Sequence, residues 1–138
     1  MICSDAIMQL LSRDRRFSAR SYDFVQDVLE YALFVGVPSN EETLAEYEEN
    51  EGHISGETLC RFAVDYAAAQ FGYMAREVLA QLGIHTTSDI GDIVYNLISV
   101  GEIAQSSSDS RDDFDNLFDL ESELEKSFEF AYERRRRN

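Results

Sequence analysis

The stretch from His53 to Gly101 constrains this chain most, because three apolar stripes at helical spacing follow one another with turn residues between them. In HISGETLCRFAVDYAAAQFG, Ser55 fits an N-cap, and Leu59, Phe62, Ala63, Tyr66 and Gln70 recur along one side of a helix. Gly72 interrupts that stripe. Met74, Val78, Leu79 and Leu82 resume it and stop at Gly83, where a left-handed C-terminal residue belongs, with Ile84 sealing the turn. His85, Thr86, Thr87, Ser88 and Asp89 then cap a third helix with the face Ile90, Ile93, Val94, Leu97 and Val100, ended by Gly101. Each helix has one apolar face and needs the others to cover it. A mainly α fold around a central three-helix unit follows.

The flanks add to this unit. Ile7, Leu10 and Leu11 predict a short helix within residues 4 to 12. A polar connection holding Arg13, Arg15 and Arg16 leads to a longer helix from Ser18, with Tyr22, Val25, Leu29, Ala32 and Leu33 on one stripe widened by Phe24, Val28 and Tyr31. Gly36 and Pro38 end it. Residues 39–52 form an acidic connection in which Ser39 and Glu42 fit a capping box. Beyond Gly101, alternations around 102–105 and 116–120 predict a small hairpin, which would give a winged-helix outline; a helix capped by Asp109 or Ser110 and carrying Phe114, Leu117 and Phe118 is the alternative. Leu124, Phe128 and Ala131 predict a last helix that frays before Arg134–Arg137. The expectation is one helical domain of about five helices over 1–132, with a basic disordered tail at 133–138.

At 138 residues a chain can bury a core without staples. No apolar run approaches the ~20 residues that span a bilayer, the first residues do not resemble a secretory signal, and Cys3 and Cys60 belong to no CxxC. A cytoplasmic protein without a membrane partner is expected. The net charge of −15, from 27 acidic and 12 basic residues, repels phosphate backbones and anionic lipid and favours basic partners.

Four kinds of chemistry were weighed. Two short helices joined by GIHTTS resemble a helix-turn-helix, yet residues 87–101 carry Asp89, Asp92 and Asn96 and no Lys or Arg to reach phosphates or base edges. A calcium loop started at Asp113 in the acid-rich run fails, since Leu117, Phe118 and Leu124 fall at positions 5, 6 and 12, where a ligand, the glycine and the glutamate belong. His53, His85, Cys3 and Cys60 lack a metal-ligand spacing, and no nucleophile elbow, HExxH or phosphate-cradling glycine loop is present. No catalytic residue, metal or cofactor is assigned; His53, His85 and Asp89 are the polar candidates should an enzymatic site exist. The residues best suited to a surface role are the aromatic and acidic ones Phe114, Phe118, Asp112, Asp113 and Asp115. The leading expectation is a non-catalytic interaction or adaptor module that binds a basic protein partner or a second copy of itself. A winged-helix-like nucleic-acid-associated regulator, and an enzyme using His53 or His85, are the alternatives.

The strings RRFSARSYDFVQDVL, HISGETL, MAREVLAQLGIHTTSDIGDIVYNLISVGEI and DSRDDFDNLFD resemble the pattern of a small uncharacterised bacterial family known mainly by a locus-tag name, the Minf-type family. The resemblance covers most of residues 15 to 120 and is carried by His53, Ser55, Gly56, Phe71, Gly72, Gly83, Asp89, Gly91 and Gly101. It implies a bacterial setting and no mechanism, cofactor or catalytic residue.

Overall fold

Caps and glycines place the helix ends close to where their chemistry demands. In the computed structural model, which describes residues 5–35, 55–104 and 110–126, five complete α-helices surround one core: α1 (Asp5–Arg13), α2 (Ala19–Val35), α3 (Gly56–Phe71), α4 (Ala75–Gln81) and α5 (Thr87–Ser99). A 3-10 turn at Gly72–Met74 joins α3 to α4, another spans Arg111–Phe114, and residues 120–126 begin a further helix, α6. The acidic connection at 39–52 with its Ser39–Glu42 box, His53, Cys3, the frayed helix beyond 126 and the basic tail lie outside the described residues.

The starts of α3 and α5 are held by their own side chains. Ser55 Oγ accepts from the backbone N–H of Thr58 at 3.2 Å. At α5, Thr86 Oγ accepts from the Asp89 N–H, and Asp89 accepts in return from the N–H groups of Thr86 and His85 at 3.1 and 2.9 Å. These bonds satisfy donors that a helix start otherwise leaves open. The α4–α5 turn needs Gly83. Its φ is +84°, the Ile84 N–H reaches the Leu79 carbonyl at 2.8 Å, and a Cβ on residue 83 would collide with the carbonyl oxygen of Arg16. Ile84 is buried beyond it, as the apolar contact of such a turn requires.

α2 and α3 run antiparallel, because Phe24 meets Tyr66 and Phe71 while Tyr31, two turns later, meets Phe62 and Tyr66, with ring centroids 5.3–6.3 Å apart. On the other side of α2, Tyr22 meets Asn96 of α5 at 3.2 Å. Val25, Val28, Ala63, Leu79, Ile90, Ile93 and Leu97 fill the centre, and Ile7 and Leu10 of α1 join it. Cys60 belongs to this core; burial pushes its thiol up to about 12, which keeps it protonated and unreactive.

The expected hairpin is corrected. No strand occurs among the described residues; 102–103 are bends, and 115–118 turn and bend the chain ahead of α6. The apolar residues of 110–126 are drawn instead onto the open side of the bundle, where Phe114, Leu120 and Leu124 are buried. Ser110 does serve as a cap, of the short Arg111–Phe114 turn, through the N–H of Asp112 and a return bond from its own N–H to Asp113. Over the described residues the outline is therefore a helical bundle with a strap and no wing.

Candidate functional site

The strap accounts for the aromatic and acidic residues singled out in the sequence. Gly91 of α5 leaves a notch that Phe114 enters; a Cβ there would stand 2.5 Å from the Phe114 Cβ. Buried Thr87 donates through Oγ1 to the Phe114 carbonyl at 2.7 Å and accepts from the Leu117 N–H at 3.3 Å. Arg111 donates to Asp92 at 2.6 Å, to Asp115 at 2.9 Å and to the Ser88 carbonyl at 2.8 Å. Asp115 also accepts from the Ser88 hydroxyl, and that bond, with Arg111, holds its carboxyl below the usual carboxylate range. Phe118 is half-buried beneath the Arg61 guanidinium, 4.0 Å from its ring centroid. Of the five surface candidates, Phe114 thus lies inside, Phe118 is covered by a cation, Asp115 is paired and Asp113 closes a cap. Asp112 alone projects to solvent without a side-chain partner among the described residues.

The polar candidates have equally local duties. Asp89 is the return arm of the α5 cap. The exposed His85 ring stands 3.5 Å from Glu121 of α6, with no hydroxyl or thiol nucleophile bonded to it. The polar side of α5 is engaged within the molecule too. Asp92 lies between Arg111 and Arg16, Arg16 forks onto Asp14, and Asn96 bridges Asp14 and Tyr22. The Arg16 hydrogen bonds outweigh the effect of burial and lower the Asp14 carboxyl to about 2.

A different arrangement lines the outer side of α2. Asp23, Asp27 and Glu30 recur at i, i+4 and i+7, and with Gln26 and Leu29 they form one wall of an open cleft of about 410 Å³. The chain leaving α5 supplies the other wall, Glu102 and Ile103. Gly101 turns the backbone there, and the Glu102 N–H returns to the Leu97 carbonyl at 3.0 Å. Leu29 and Ile103 give the cleft its apolar lining, and Asp23, Asp27, Glu30 and Glu102 its four carboxylates. Among the described residues no base forms an ion pair with Asp23, Asp27 or Glu30. Partial burial, then the charges of Glu30 and Asp23, raise the Asp27 carboxyl above its ordinary value. The acids are spread along two turns of helix, and no group of three or more described His, Cys, Asp or Glu side chains is gathered closely enough to hold a metal ion. No described helix is long and apolar enough to cross a membrane.

None of Asp23, Asp27, Glu30 or Glu102 stands out in the sequence as a site, because Glu102 comes from a distant turn and acids on the exposed side of a helix are ordinary. The available signal was their shared line on α2. No protein-family model, curated protein or solved structure matches the chain.

Proposed function

We propose that this protein is a non-catalytic interaction module, and that the cleft between α2 and residues 102–103 receives a cationic side chain of a basic protein partner. The observation that carries this reading is that Asp23, Asp27 and Glu30, with no ion pair to a base among the described residues, line one cleft together with apolar Leu29 and Ile103. Lysine and arginine have the matching anatomy, an aliphatic stem to lie on Leu29 and Ile103 and a charged head to reach Asp23, Asp27, Glu30 and Glu102. The raised Asp27 carboxyl fits such a role, since a cation entering the cleft relieves the repulsion among its neighbours.

The test is a titration with a short arginine- and leucine-containing peptide, followed by backbone amide shifts. Shifts gathered on residues 23–30 and 102–103, weakened by salt and lost in Asp23→Asn/Glu102→Gln, are the expected result. Shifts scattered over the whole acidic surface, or unchanged in that double variant, would remove the cleft as the site.

A further inference from the structure

A second face adjoins the cleft and calls for an occupant of particular chemistry. Tyr31, Phe62, Tyr66 and Phe71 form a half-buried aromatic ladder across the outer side of α2 and α3. Its rim is acidic. Asp27 and Glu30 of α2 lie near enough to Tyr66 to add to the effect of burial on its hydroxyl. The segment 39–52 carries glutamates and no base, so it matches this rim poorly, and the same face of a second copy would bring acid against acid. The occupant should be both aromatic or aliphatic and cationic.

We propose that this face is the intramolecular docking site of residues 127–138, SFEFAYERRRRN, with Phe128, Phe130 and Tyr132 against the aromatic ladder and Arg134–Arg137 on Asp27 and Glu30. Charge complementarity selects this segment, and its point of departure places it. α6 is moored to α3, the helix that carries Phe62, Tyr66 and Phe71, since Glu123 lies 3.5 Å from Arg61 and Lys126 lies 3.9 Å from the same Glu123. The eight residue steps from Lys126 to Arg134 reach up to ~29 Å when extended, about three times the ~10 Å width of the helix to be crossed. Asp27 and Glu30 also line the cleft, so a basic partner there competes with the arginines. That competition rests on the cleft reading; the docking of the aromatic residues does not.

The full chain has no tryptophan, so Tyr132→Trp supplies a single reporter. With no partner present, its fluorescence is expected to be blue-shifted and protected several-fold from acrylamide. That protection should fall in 1 M salt, in Asp27→Asn/Glu30→Gln, and when all four arginines become serine. Phe62→Ser, checked by circular dichroism for an intact fold, should abolish it; if that variant unfolds, the carboxylate pair decides. An unprotected reporter overturns the proposal. So does protection that disappears on dilution, which assigns the segment to a second copy, or protection insensitive to Asp27→Asn/Glu30→Gln but lost when Glu41, Glu42 and Glu46 become glutamine. Protection of the reporter in the chain with its arginines, together with no peptide binding once all four arginines become serine, would discard the cleft function and leave this contact standing.

Discussion

The two sides of this bundle handle carboxylates in opposite ways. Across α5 and the strap, Asp92, Asp115, Glu121, Glu123 and Glu125 each face an arginine, and Asp14 is held by Arg16. Across α2, Asp23, Asp27 and Glu30 face one another and no described base. Exposed ion pairs contribute little to stability, in the range of ~0–1 kcal/mol. Their arrangement is therefore more informative about which surface is occupied than about what holds the fold. The named acids of the strap side have arginines of the same bundle as counter-charges, and Asp23, Asp27 and Glu30 of α2 have none among the described residues.

The contrast is broken most severely by emptying the notch. Phe114→Ala removes a buried ring that packs edge-on against Tyr95 at 6.3 Å and should lower unfolding free energy by ~3–5 kcal/mol, measured by urea denaturation. Filling the notch from the other side is the next test. Gly91→Ala puts a methyl group against Phe114, and the strap must shift at a cost of ~1–3 kcal/mol, with faster amide exchange in residues 110–118 than elsewhere. A loss spread evenly over the bundle would show that the strap is not a separable layer. Thr87→Val leaves the Phe114 carbonyl and the Leu117 N–H without their shared partner, a loss of ~1–3 kcal/mol.

Acid separates the two sides by sign. Asp14 has a folded-state value of about 2 against an ordinary 3.8, so its contribution is complete above pH 3.8 and is lost as the pH falls toward 2. Asp27 is shifted the other way. Its carboxylate opposes folding near neutrality, and the penalty disappears as the pH falls through its raised value. Asp27→Asn should accordingly raise the melting temperature slightly at pH 7, within ~0.5 kcal/mol, and give no gain at pH 3. The matched change Asp115→Asn should lower it at pH 7. If both substitutions act with the same sign, the distinction between paired and unpaired sides fails.

Much of the bundle was legible because local chemistry and packing agree. Ser55, Thr86 with Asp89, and Gly83 with Ile84 mark ends where a side chain or a positive φ satisfies the backbone, and each works as its residue type demands. The strap was harder. Its alternating pattern around 116–120 suits a strand, yet Phe114, Leu120 and Leu124 had an uncovered groove to fill, and tertiary burial overrode the local pattern. Leu33 shows the reverse error. It continues the stripe of α2 but is 62% exposed, as Phe34 beside it is 91% exposed, because the described part of the bundle offers nothing beyond Ala32 to cover them. The cleft was hidden because it depends on where Glu102 arrives after α5, a long-range outcome that no window of sequence contains.

The turn at Gly83 has a consequence for how this chain can be assembled and altered. Its bare Cα lies against the backbone of Arg16, while the Leu82 carbonyl accepts from Ser21 at 2.6 Å, so two surface connections far apart in sequence form a single joint. Closing a loop of that length costs entropy that the contacts of the joint must offset. The joint also makes the arginine-bearing connection between α1 and α2 a poor site for insertion despite its polarity. Lengthening it would pull Arg16 away from residue 83 and open both turns together.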